Sequence, residues 1–366
     1  MAEDISRPAS AGEPGGQGAP LRDSVAAPLL EVEDLRVHFS TYAGVVQAVR
    51  GASFTLRAGG SLAIVGESGC GKSVTAKAVM GLVKEPGTIE EGSRIVFDGE
   101  DISSFDAKRW QRYHGGDAAL VFQEALSALD PTMRVGKQIA EPIIAHKQAG
   151  KREALARAVE LLREVGIPEP EKRARAYPHE LSGGMRQRAM IASAIACSPR
   201  LLVCDEPTTA LDVSIQDQIL EMIRRIRDER GTAIIMITHD MGVVADVAED
   251  IVVMYAGLVV ERGRTVDIFE RPRHPYTAAL LAAMPEAGRK ASGRLLSIPG
   301  APPDLINPPV GCPFAARCRH AMPVCREYAP AWTEFGGGHA AACWLHDHRA
   351  PQEDASIQAG EVHGGE

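Results

Sequence analysis

The sequence predicts an α/β protein: a parallel sheet flanked by helices, followed by a smaller C-terminal unit. Three observations lead there. Apolar runs of strand length stand at Ser61–Val65, Leu201–Cys204 and Ala233–Thr238. Between the last two lies Ile215–Arg230, with Ile219, Met222, Ile223 and Ile226 on one helical face. Strand, helix, strand implies a right-handed crossover in a parallel sheet. The first run also leads straight into a glycine-rich turn, where a buried strand of such a sheet ends.

Along the chain, Leu30–Phe39 and Ser53–Leu56 read as strands, and Ser73–Val83 as a helix. Over Pro131–Ile167 the period becomes helical. Leu155, Val159, Leu162 and Val165 recur at that spacing, and Gly166 can stop the helix. Residues 1–28 are rich in Gly, Pro, Ala and charge, so they read as a disordered tail. The first unit then spans 29–270, with a helical part at about 125–190. A composition shift towards Pro, His and Cys marks the second unit, 271–348, and 349–366 reads as a flexible tail.

The 366 residues carry a net charge of −8, which disfavours nucleic-acid binding through a basic surface. The longest apolar run, Ile251–Val260, is far short of the roughly 20 residues a membrane-spanning helix needs. The N-terminus lacks the basic-then-apolar pattern of a secretory signal, and the seven cysteines are an odd number, so a disulfide scaffold is disfavoured.

The turn after the first run is Gly66-Glu67-Ser68-Gly69-Cys70-Gly71-Lys72-Ser73, leading into the helical stretch Ser73–Val83, whose Val74 is grouped with the nucleotide-binding residues. This is the GxxxxGK[ST] phosphate loop in its required strand–loop–helix context. Its backbone N–H groups and the helix N-terminus suit a polyphosphate such as ATP. Lys72 should reach the β- and γ-phosphates, and Ser73 should ligate Mg²⁺. Leu201–Glu206 complements it, because a buried strand delivers Asp205 and Glu206 at its C-terminal end. Asp205 can hold Mg²⁺, and Glu206 can act as general base towards water.

Leu181-Ser182-Gly183-Gly184-Met185-Arg186-Gln187-Arg188 closely resembles the signature of ABC-transporter ATPases. The resemblance implies a RecA-like parallel core, an antiparallel β subdomain and a helical signature subdomain. It implies that Ser182, Gly183, Gly184 and Gln187 contact the ATP held by a second cassette. It further implies that Gln123 senses Mg²⁺ and the attacking water, that His239 touches the γ-phosphate, and that Thr208–Asp212 communicates across the dimer. An aromatic near the first strand should stack on adenine; Phe39 and Tyr42 are both candidates, and either could be a core residue.

Val121–Pro131, Asp205–Val213, Arg271–Thr277 and Ile298–Pro303 narrow the resemblance to the ATP-binding subunits of oligopeptide/dipeptide and nickel-type importers. It covers roughly Leu29 to His346. Glu124-Ala125-Leu126 departs from the usual acidic residue followed by proline, which bears on the stiffness of the coupling loop. Cys70 stands where serine is common, and its side chain should point away from phosphate. The implied partners are a second, paralogous ATPase, two membrane permeases and, indirectly, an extracytoplasmic binding protein. The implied place is the cytoplasmic face of the membrane.

Cys312, Cys318, Cys325 and Cys343 suggest a metal or cluster site. The resemblance implies a [4Fe–4S] cluster, while His320, His339, His346 and His348 keep a zinc site open. Two other function classes are weaker. Soluble ABC ATPases of repair or translation usually carry two cassettes, whereas this chain has one phosphate loop. A regulatory protein with a dead site would not keep Lys72, Gln123, Asp205, Glu206 and His239 together. The cargo (peptide, nickel, haem or glycoside) is not written in these motifs.

Overall fold

Each predicted apolar run becomes a strand of one sheet. The computed structural model describes residues 27–124, 128–209, 211–284 and 298–350. Its larger sheet has eight strands in the order β12-β13-β11-β10-β3-β9-β8-β7. Five are parallel: β3 (Ser61–Val65), β7 (Ala118–Val121), β8 (Leu201–Asp205), β9 (Ala233–Thr238) and β10 (Asp250–Tyr255). The helix Val213–Arg230 joins β8 to its parallel neighbour β9, as the crossover pattern requires. β3 and β9 are buried along their whole length, which explains why they read as unbroken apolar runs.

The remaining strands of this sheet are antiparallel. β10 turns back into β11 (Leu258–Arg264), so the apolar run Ile251–Val260 is a hairpin. β13 (Ala340–Ala342) then pairs with β11, and β12 (Trp332–Glu334) pairs with β13. The C-terminal unit thus completes the edge of the main sheet.

A second, antiparallel sheet has β1 (Leu30–Thr41) between β2 (Gly44–Leu56) and β5 (Arg94–Phe97), with β6 (Glu100–Asp101) beyond β5 and β4 (Gly87–Ile89) also on β1. Sequence reading recovers only the last residues of β2, because its first half alternates between half-buried and exposed positions and leaves no apolar run. β4, β5 and β6 are two to four residues long and carry too little pattern to read.

The helical part contains Val135–Ala145, Lys151–Glu164 and Gly183–Ala194. In Lys151–Glu164 the buried face is Ala154, Ala158, Leu161 and Leu162, rotated from the predicted Leu155–Val159 line. Small alanines at the contact let the neighbouring helix approach, and Leu155 packs at the margin of the core. One apolar cluster lies under this helical part, and a second joins the two sheets. The third joins β3 and β10 to the C-terminal unit, through Tyr255, Tyr276, Phe314, Cys312 and Cys325. The N-terminal tail up to residue 26, residues 351–366 and the coupling-loop residues 125–127 lie outside the described residues.

Candidate active site

Buried β3 ends at Val65 and releases the loop into α1 (Lys72–Val79). Two of its glycines are sterically required. At Gly66, with φ +153°, an added Cβ would lie 2.2 Å from the Met254 carbonyl oxygen. At Gly71, with φ +107°, it would lie 2.5 Å from the Ala48 carbonyl oxygen. Ser68 and Gly69 form the exposed tip, while Val74 is half-buried in α1. Cys70 faces the core, where burial pushes its thiol pKa up. The Lys72 ammonium is folded back on its own loop, donating to the carbonyls of Gly66 (2.8 Å) and Glu67 (2.9 Å).

Asp205 closes β8 and accepts a 2.9 Å hydrogen bond from the Ser73 hydroxyl. Burial raises the Asp205 pKa, the Ser73 bond opposes this, and the neighbouring Glu206 charge adds to the rise. A carboxylate and a hydroxyl in contact are the hard oxygen donors that suit Mg²⁺.

Glu206 stands in the left-handed region at φ +47°. For a non-glycine residue that conformation costs about 1–3 kcal/mol and is held by its surroundings. Its N–H donates to the Ile237 carbonyl at 2.9 Å. Three side chains converge on its carboxylate. His239 Nδ1 lies 3.3 Å from Oε1, Gln123 Nε2 donates to Oε2 at 3.2 Å, and Thr209 Oγ1 donates to Oε2 at 2.9 Å. The loop, His239, Asp205–Glu206 and Gln123 thus follow β3, β9, β8 and β7, four neighbouring parallel strands. The role of Thr209 escaped sequence reading, which treated 208–212 as one loop. Its signal is a hydroxyl three residues beyond a carboxylate in a turn.

Ser182 caps the helix Gly183–Ala194, accepting from the Met185 N–H at 3.4 Å. At Gly183 there is open space, while a Cβ at Gly184 would press on Ile215. Gln187 is buried, and among the described residues its Nε2 has no hydrogen-bond partner. This helix packs on the other two helices of the helical part and on β7, whereas α1 packs on β1, β2, β8 and β9. Of the two aromatic candidates, Phe39 packs into the core beside Gly87, and Tyr42 is fully exposed in the β1–β2 turn.

Two of the C-terminal cysteines meet through the backbone, where the Cys312 N–H donates to the Cys325 carbonyl at 2.7 Å. Burial, with neighbouring thiolate charges added, pushes the Cys312 thiol up to about 11 and that of Cys343 up to about 12. Burial also raises Cys318, with a smaller contribution from the charge of Cys325. Four cysteine thiols are the donor type of an iron–sulfur cluster, but the described side chains are not drawn together around one point. Among the described residues no group of three or more His, Cys, Asp and Glu is arranged to hold a metal ion. Two histidines that kept zinc open are engaged elsewhere. His339 Nε2 lies 2.8 Å from the Glu261 carboxylate, and His346 Nε2 lies 2.6 Å from the Arg273 carbonyl oxygen.

This fold and this arrangement of loop and carboxylates define an ATP-binding cassette. The family model described as ABC transporter matches residues 49–209, and the one described as Oligopeptide/dipeptide transporter, C-terminal region, matches residues 260–325. The chain is 50% identical to the oligopeptide transport ATP-binding protein OppD of Bacillus subtilis over 324 residues, covering 88% of this chain and 90% of that one. It is 49% identical to the dipeptide transport ATP-binding protein DppD of Lactococcus lactis over 325 residues, 88% and 93% of the two chains. Among solved structures it resembles the dimeric bacterial ABC transporter cassette MJ0796, with a TM-score of 0.58 and 25% identity over 64% of this chain and 98% of that one. The chain belongs to the family of oligopeptide and dipeptide ABC-transporter ATP-binding subunits. Among the described residues no helix is long and apolar enough to cross a membrane.

Proposed function

We propose that this chain hydrolyses ATP to drive import of di- or oligopeptides through separate membrane subunits. The observation that carries the reading is the Glu206 carboxylate, held by His239, Gln123 and Thr209 beside the Ser73–Asp205 pair. Lys72 exchanges its loop carbonyls for phosphate oxygens when ATP enters. Ser73, Asp205 and Gln123 are the residues to hold Mg²⁺, which supplies charge neutralisation at the phosphates. Glu206 accepts the proton of the attacking water, and its three donors fix the direction of that carboxylate. His239 and Gln123 also face the γ-phosphate side. Tyr42, exposed and unpacked, is better placed than Phe39 to stack on adenine.

The signature helix and α1 sit on different parts of the cassette, which supports a sandwich in which Ser182, Gly183, Gly184 and Gln187 serve the nucleotide of a second, paralogous subunit. The assembly contains two permeases and receives peptide from a binding protein, so the chain works as a peripheral subunit at the cytoplasmic face. Residues 29–270 act as the cassette and 271–348 as its extension. Cys312, Cys318, Cys325 and Cys343 hold a [4Fe–4S] cluster in that extension; the soft donor chemistry of four cysteines in one small unit supports this.

Glu206→Gln tests the reading. The amide oxygen can keep the bonds from Gln123 and Thr209, but the amide cannot take a proton. Phosphate release by the assembled transporter should fall by about 10²–10⁴ while ATP binding persists. Turnover within threefold of the parent would remove Glu206 from the role.

A further inference from the structure

One residue of the phosphate loop is held by the C-terminal unit. The carboxylate of Glu67, the second residue of the loop, accepts Nη1 of Arg317 at 2.5 Å and Nη2 at 2.9 Å. The Glu67 N–H donates to the Tyr276 hydroxyl at 2.8 Å, and the Glu67 carbonyl accepts Lys72 Nζ. Each polar group of Glu67 is therefore committed, two of them to residues beyond 270.

Arg317 is correspondingly saturated. Besides the two bonds to Glu67, Nη1 donates to the Tyr255 hydroxyl (3.1 Å), Nη2 to the Ile298 carbonyl (3.0 Å) and Nε to the Pro299 carbonyl (2.8 Å). That uses the five N–H donors of a guanidinium. Its side chain is only 4% exposed. It rests on Tyr255 and Phe314, which pack with Tyr276 at centroid distances of 4.6–5.3 Å. A flat, rigid fork fits this setting, and a lysine could not reproduce it.

We propose that Arg317 is a positioning residue for the nucleotide: through Glu67 it fixes the phosphate loop and makes ATP affinity depend on the docked C-terminal unit. Two consequences follow from its charge and shape. Arg317 neutralises the acidic residue of the loop, which otherwise stands against the polyanionic phosphates. It also restrains the peptide whose carbonyl holds Lys72. By reciprocity, ATP binding strengthens the docking of residues around Arg317 by the same factor. The proposal rests on the ATP-binding reading above.

The test uses the full chain, with ATP titrated by calorimetry and the ATPase KM and kcat taken in the assembled transporter. Arg317→Ala should weaken ATP binding by about ten- to a hundredfold, the range for lost charged hydrogen bonds, and raise KM by more than it lowers kcat. Arg317→Lys should fall between the two. Adding Glu67→Gln to Arg317→Ala should restore part of the affinity, because the uncompensated carboxylate is gone; a purely structural role gives no such rescue. In the unmodified chain, ATP should slow hydrogen exchange of amides 312–319. That measurement decides the matter if Arg317→Ala does not fold. Lack of ATP binding by the unmodified chain sinks the ATPase reading itself. Normal binding, with no loss in Arg317→Ala or no ATP-dependent protection around Arg317, overturns this proposal alone.

Discussion

Glu261→Ala should release the C-terminal strands while leaving the cassette folded. Glu261 lies on β11 and is wholly buried. Its carboxylate accepts the backbone N–H groups of Arg273 (2.7 Å) and His274 (2.9 Å), and contacts His339 Nε2 at 2.8 Å. It therefore ties both ends of the C-terminal unit to the main sheet. Alanine leaves three buried donors unpaired, at about 1–3 kcal/mol each. The lower part of the summed range, about 3–5 kcal/mol, is the expected penalty, because the freed donors can partly relax towards water. That corresponds to an increase of roughly 10²–10⁴-fold in the open population of the unit. Hydrogen exchange of the amides in β12 and β13 should accelerate by that factor, while those in β3 and β9 stay protected. Glu261→Gln keeps an acceptor oxygen for only one of the two backbone donors, which bond to different carboxylate oxygens, and should cost about 1–3 kcal/mol for the other. Unchanged exchange in β12 and β13 would refute the tie. Equal acceleration in all strands would show that the unit does not open separately.

Three further outcomes follow from the site. Lys72→Ala should lower ATP affinity by about ten- to a hundredfold in calorimetry, and an unchanged affinity would count against the loop as the phosphate cradle. Ser182→Arg in this subunit should abolish hydrolysis at the partner's phosphate loop in a mixed dimer; intact activity there would contradict the sandwich. After anaerobic purification, iron and sulfide analysis should find about four iron atoms per chain, the content of one such cluster, with loss in Cys318→Ser. A colourless protein with stoichiometric zinc, or retained iron in that variant, would decide against the cluster.

The legible part of the molecule is the part whose chemistry is local. The phosphate loop could be read because Gly66, Gly71, Lys72 and Ser73 act within one turn, and β3, β8 and β9 because burial on both faces leaves only apolar residues. Glu206 was readable from its place after β8, but its left-handed backbone and its bond to Thr209 were not, since both depend on how the turn closes. Phe39 and Tyr42 could not be separated by spacing, because the difference between them is the packing of Phe39 against Gly87, far along the chain. Arg317 carries no motif; its meaning comes from the loop it meets 250 residues away in sequence. Likewise β13 was invisible as three alanines and gains its strand identity only from pairing with β11.

That last pairing has a consequence for how the chain is made. β11 is complete when residue 264 leaves the ribosome, but the strand that covers its free edge ends at Ala342. At translation rates of about 5–20 residues per second, the interval is on the order of 4–16 seconds. During it the nascent cassette presents an open row of backbone donors and acceptors, the kind of edge that recruits strands from other chains. Aggregation should therefore be decided at this stage of synthesis. Slowing translation between residues 264 and 342 should lower the soluble yield, and supplying a chaperone that masks strand edges should restore it.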